Sequence, residues 1–110
     1  MNESFVAERK VRVSPISAWE LGLLSAKGRL PSTRSPMDLF GEALATPGVR
    51  VEALSPEVLI DSAFLPGVLH RDPADRILIA TARKFDLTIM TRDQTILEYA
   101  RRGHVRALAC

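Results

Sequence analysis

Residues 70–93 read HRDPADRILIATARKFDLTIMTRD, and no other stretch limits the possible folds as much. Asp72 followed by Pro73 marks a helix start, because an aspartate can accept from the first unpaired N–H groups and proline suits the first helical position. The body of that helix, over about 73–84, is ILIATA at its centre and has almost no polar side, so it must be covered on more than one face. LTIMT, 87–91, follows almost at once and reads as a buried strand. Asp93 then stands where it can cap a further helix over 94–102. A helix that turns straight into a strand, and a strand that turns straight into a helix, is the repeating step of an α/β fold.

The rest of the chain continues the step. KVRVS, 10–14, alternates as a short strand, and PISAWELGLLSAKGRL after it has amphipathic spacing, with Ile16, Trp19, Leu23 and Leu24 expected on one side and Gly28 as its stop. Ser17 and Glu20 stand at the spacing of a capping box. LPSTRSP is a loop, MDLFGEALAT a helix ended by Pro47 and Gly48, and VRVEAL, 49–54, a second strand. Ser55 and Pro56 open the helix SPEVLIDSAFL, and VRAL, 105–108, is a last short strand. The 110 residues therefore predict a single domain over 1–110 with a largely parallel sheet, a class whose sites lie beyond the C-terminal ends of the strands.

Composition removes several classes of function. With 46% hydrophobic and 25% charged residues, and no apolar run of the roughly 18 to 20 residues a membrane span needs, a cytoplasmic protein with no membrane partner is expected. The single cysteine, Cys110, cannot form an internal disulfide. Fifteen basic residues against thirteen acidic give a net charge of +2, which tolerates an anionic partner without demanding one. Basic residues gather at Arg9, Lys10 and Arg12 and again at Arg101, Arg102, His104 and Arg106, and each group reads first as a solvated face.

The acids are the candidate chemistry. Taken singly, each has an ordinary reading: Asp72 and Asp93 as helix caps, Asp75 in a first turn, Glu20 in a capping box. Taken together, they fall at one edge of the expected sheet, where several carboxylates would raise one another's pKa unless a cation neutralised them. Oxygen ligands of this kind suit Mg²⁺ or Mn²⁺, and no His and Cys cluster points to zinc.

VSPISAWELGLLSAKGRLP followed by HRDPADRILIATARKFDLTIMTRDQTILEY resembles the PIN-domain family, in particular the VapC-like toxins of bacterial toxin–antitoxin pairs. The resemblance spans roughly residues 11 to 108 of the chain. It implies a PIN-like three-layer fold, a mainly parallel sheet flanked by helices, and an endoribonuclease that uses Mg²⁺ or Mn²⁺. It implies that Glu20, Asp75 and Asp93 fall on the acidic metal positions, Asp72 on an additional acid of the VapC-like branch, and Thr91 on the hydroxyl beside the last aspartate. An antitoxin partner and a homodimer are expected with it. The family's first strand, central in the sheet and bearing an aspartate ligand, has no counterpart here. NESFVAERK reads instead as the end of the helix after it, so the central first strand is expected to be missing. A sheet opened in that way should self-associate, and a chain with more residues upstream should be the active form.

Arg76, Arg92 and Arg71 are candidates for phosphate contact, although an arginine beside an aspartate more often balances its charge. The alternative function is a truncated, inactive PIN fold serving as a binding or dimerisation module. Trp19 with Leu23 and Leu24, or Leu39 and Phe40, would line its groove, though each reads first as core. A phosphoacceptor domain of the response-regulator type is disfavoured, because no strand ends in the paired acids that such chemistry uses.

Overall fold

The computed structural model describes residues 4–7, 10–69 and 72–110; the candidate cations Arg9 and Arg71 lie outside them. The described residues form an α/β fold with five strands in one mixed sheet and five helices. The elements are β1 (Ser4–Ala7), β2 (Lys10–Val13), α1 (Pro15–Ala26), α2 (Pro36–Ala45), β3 (Val49–Val51), α3 (Pro56–Asp61), α4 (Pro73–Phe85), β4 (Thr88–Thr91), α5 (Gln94–Arg101) and β5 (Arg106–Ala109).

The strand order is β3-β2-β1-β4-β5. β2 pairs parallel with β3, and β4 with β5, while β1 runs antiparallel to both its neighbours. Four strands thus point one way and the central one points the other. This corrects the expectation of a missing centre, because Ser4–Ala7, read from sequence as the end of a helix, is the central strand. The physical reason is the slot itself: β2 and β4 each present a row of backbone donors and acceptors that must be paired once the sheet is covered by helices. That demand outweighs the weak helical preference of four residues. Phe5, opposite Arg12 on one side and Ile89 on the other, is fully buried there.

The core is built mainly from the second half of the chain. Leu78, Ile79 and Ala82 of α4, Leu87, Ile89 of β4, and Ile96 and Tyr99 of α5 pack with Phe5 and Ile16. Helix ends follow a common rule: Ser14–Pro15, Ser35–Pro36, Ser55–Pro56 and Asp72–Pro73 open four of the five helices, each with a capping side chain before a proline. The capping box expected at Ser17 and Glu20 is therefore corrected. Ser14 caps α1 by accepting from the Ile16 N–H at 3.1 Å, and Ser17 is buried inside the first turn. α4 ends at Asp86, which has left-handed backbone (φ 57°). Arg106 holds that residue by donating to its carbonyl and pairing with its carboxylate, both at 2.8 Å.

A second tie joins α5 to the loop before α4. The Tyr99 hydroxyl donates to the Pro66 carbonyl, and His104 lies against the Tyr99 ring with centroids 4.7 Å apart. His104 also sits so close to Gly67 (φ +72°) that a Cβ there would come within 2.9 Å of its Nε2. Both the backbone conformation and the missing side chain are needed at that position.

Candidate functional site

Direction along the sheet decides where the acids fall. β2 and β4 run the same way, each opposed to β1, so their C-terminal ends share one edge. α1 leaves that edge after Val13, α5 leaves it after Thr91, and α4, which turns directly into β4, begins there as well. Three helix N-termini therefore lie at one edge of the sheet. Their partial positive ends favour carboxylates and phosphate groups alike.

Asp72 is exposed, and its Oδ1 accepts from the Ala74 and Asp75 N–H groups at 3.0 and 3.3 Å. That fixes the first turn of α4. Asp75, inside the turn, is only 6% exposed. Asp93 caps α5 in the same manner, with Oδ1 accepting from Thr95 at 2.8 Å and Ile96 at 3.4 Å. Thr91 is fully buried, and its hydroxyl accepts from the Asp93 N–H at 3.0 Å, which sets the angle at which the chain leaves β4. In both caps the bonds use Oδ1, so capping and a second role for the carboxylate are compatible.

Glu20 is partly buried on the second turn of α1, and α1 touches α4. It also lines a cleft of about 520 Å³ between α1 and α2, together with Ser17, Leu21, Leu24, Leu39 and Glu42. Neither Asp75 nor Asp93 lines that cleft. Trp19, at 48% exposed, and Leu23 and Leu24, at 39% and 40%, are corrected from core to surface. Only Ile16 of the expected apolar side enters the core. The reason is that α1 buries the side bearing Ile16, Ser17 and Leu21, and Trp19 and Leu23 point away from it.

Among the described residues, no group of three or more His, Cys, Asp or Glu is arranged to hold a metal ion. The candidate cations are placed differently from one another. Arg76 commits its Nε to the Ser62 carbonyl at 2.8 Å, tying the end of α3 to α4, and Arg92 is exposed. The C-terminal basic group is largely engaged locally. Arg101 pairs with Glu98 at 2.9 Å, Arg106 holds Asp86, and the Arg102 guanidinium lies 5.3 Å from the Tyr99 ring centre. Burial pushes the Tyr99 hydroxyl above its ordinary pKa, against the opposing pull of Arg83, Arg102 and Arg76.

The burial of two polar residues at the edge, and the capping role of Ser14, escaped the sequence reading. Ser14 and Ser17 are 1% and 5% exposed, buried at the turn from β2 into α1. The signal for Ser14 was present: it precedes a proline as Ser55 does. No helix is long and apolar enough to cross a membrane among the described residues. No family model matches the chain, and neither a curated protein nor a solved structure is significantly similar to it.

Proposed function

We propose that the chain is a PIN-like, VapC-type domain that hydrolyses RNA phosphodiester bonds with Mg²⁺ or Mn²⁺. The observation that carries the reading is the placement of Asp75 and Asp93 at the starts of α4 and α5, on the one edge where α1 also begins. The donors offered there are carboxylates and a hydroxyl, which suit a hard cation. Such ions are commonly held by one or two carboxylates, with water and substrate phosphate completing the shell, so a three-residue protein cage is not required. When bound, the cation supplies a lowered pKa to its water and neutralises charge on the phosphate.

In this reading Asp75 and Asp93 are ligands, and Glu20 is the candidate acid on α1 that is not gathered with them. Asp72 holds the turn that orients Asp75, and Thr91 holds the backbone that orients Asp93. RNA would approach along its backbone, and Arg92, exposed and next to Asp93 in the chain, is the candidate cation that would meet it. An antitoxin is the expected protein partner, and a cytoplasmic location goes with it.

A second reading is favoured by a specific observation, the α1–α2 cleft with its exposed apolar margin. There the domain acts as a binding module, its acids serving only as caps. Asp75→Asn separates the two, because asparagine preserves shape and local hydrogen bonding and removes the charge. For the nuclease, Mg²⁺ or Mn²⁺ raises the melting temperature of the wild type and supports RNA cleavage that a chelator abolishes. Both effects are lost in Asp75→Asn and retained in Asp72→Asn. Equal metal-induced stabilisation in wild type and Asp75→Asn would remove Asp75 from the metal site.

A further inference from the structure

The cleft between α1 and α2 adjoins the candidate edge without sharing its aspartates. Ser17 and Glu20, three residues apart on α1 and so neighbours on one helix face, line it together with Leu21, Leu24, Pro31 and Leu39. Its volume of about 520 Å³ falls in the range, roughly 300 to 1,000 Å³, of clefts that take a small molecule, and a mostly apolar lining with a few polar groups is usual for them. α1 begins at the edge where α4 and α5 also start, and Ser17 belongs to its first turn. The polar end of the cleft is therefore the end nearest that edge.

Ser17 is 5% exposed, and its hydroxyl makes no hydrogen bond among the described residues. A buried hydroxyl without a partner is costly, and it marks a place where a ligand atom can supply one. The strongest polar groups beside it are acceptors, the carboxylates of Glu20 and Glu42, and no arginine, lysine or histidine lines the cleft among the described residues. Phosphate is repelled there. A cation is not called for either, because Glu42 pairs with Arg34 and Glu20 is engaged as well. What suits the cleft is a neutral, flat ring that carries N–H donors along one edge, and single-stranded RNA offers such rings when its bases are unstacked.

The bases differ in how well they match. Guanine presents O6, N1–H and N2–H side by side, an acceptor followed by two donors, and a hydroxyl next to a carboxylate is the complement of that edge. We propose that the α1–α2 cleft is a base-recognition subsite for RNA, in which Ser17 donates to O6 of an unstacked guanine and Glu20 accepts from its N1–H and N2–H. A carboxylate has about four acceptor positions, so Glu20 keeps its existing contact. Adenine and cytosine offer the carboxylate only one donor group, and uracil flanks its single N–H with two carbonyls that a carboxylate repels. The inference rests on the nuclease reading for its substrate class, and it gives Glu20 a role separate from that of Asp75 and Asp93.

The test uses the full chain with a chelator and no metal, so that binding is read without cleavage. Methyl NMR signals of Leu21, Leu24 and Leu39 are followed as the trinucleotides UGU, UAU, UCU and UUU are added. UGU should bind roughly tenfold more tightly than UUU, as one well-made bidentate pair implies. Ser17→Ala, which suits a helix, should weaken UGU by about fivefold and narrow its lead. Glu20→Gln replaces two acceptors by one acceptor and one donor, which is the match for adenine, so UAU should overtake UGU. A merely structural Glu20 would weaken all four alike. Equal affinity for the four, an order that Glu20→Gln leaves unchanged, or shifts produced only by a peptide of leucine and arginine, which would assign the cleft to a protein partner, would overturn the inference. RNA cleavage with Mg²⁺ but no base preference would do so and leave the nuclease standing. Guanine preference without cleavage would remove the nuclease and keep the base subsite.

Discussion

α4 and α2 are both proline-initiated, side-chain-capped helices that run back into a strand, and they differ in what surrounds them. Seven residues of α4 are buried and none of α2 is. α4 lies in the cluster that includes Phe5, Ile89 and Tyr99, whereas α2 covers one side of a cleft and meets α1 and the edge strand β3. Similar local sequence signals have thus produced a helix that defines the core and a helix that rests on its margin. Caps and turns specify that a helix forms; apolar area removed from water decides how firmly it is held.

The largest effect should follow from truncation in α4. Ile79 is fully buried, and Ile79→Ala removes its core contacts and leaves a cavity, costing about 3 to 4 kcal/mol. Leu39 of α2 is half-buried beside the cleft, and Leu39→Ala should cost less than about 1 kcal/mol. Urea unfolding of both variants measures the contrast. Equal losses would mean that α2 belongs to the same cooperative unit as α4.

The same contrast governs what was legible in the sequence. Asp72–Pro73, the apolar body of α4 and LTIMT located α4 and β4 to within a residue or two, because periodicity, cap and burial agreed there. α1 was placed correctly as a helix but its face was not, since Trp19, Leu23 and Leu24 share an apolar character with Ile16 and only packing distinguishes them. β1 was missed altogether. Nothing in Ser4–Ala7 itself marks a strand more than a helix end, and its conformation comes from the slot between β2 and β4. Of the candidate site, the caps at Asp72 and Asp93 could be read from residue type and position, and the shared edge from strand direction. The cleft beside Glu20 could not, because it is made by the packing of α2 against α1.

A middle-sized effect belongs to Tyr99, which ties the core half to the loop before α4. Tyr99→Phe deletes the bond to the Pro66 carbonyl and should cost about 1 kcal/mol at neutral pH. The pH dependence sharpens this. Because burial raises the folded pKa above the ordinary tyrosine value of 10.0, the unfolded chain loses this proton first as pH rises, and binds fewer protons than the folded chain in that interval. Stability therefore falls above about pH 10 until the folded hydroxyl also ionises, and is fully present below it. Chemical unfolding at pH 8 and at a pH above 10 should show that decline in wild type and a smaller one in Tyr99→Phe. An identical decline in both would assign it to other groups.

The smallest effects separate the two helices through their caps. Asp72 accepts from two N–H groups at the start of α4, and Ser35 accepts from the Asp38 N–H at 3.1 Å at the start of α2. Asp72→Ala should lower global stability by about 1 kcal/mol, while Asp72→Asn, which keeps a capping oxygen, should cost only a few tenths. For Ser35→Ala the location of the loss matters more than its size. If α2 opens without the core, losing its cap raises the population of that local opening and leaves global unfolding almost unchanged. Amide hydrogen exchange then quickens within α2 alone, by roughly fivefold for a loss near 1 kcal/mol, and the urea midpoint hardly moves. Asp72→Ala should do the reverse, moving the midpoint and quickening exchange across the whole core. If Ser35→Ala also shifts the midpoint by as much as Asp72→Ala, α2 unfolds together with the sheet. In that case the α1–α2 cleft is a fixed feature of the domain, and not a surface that opens independently of the core.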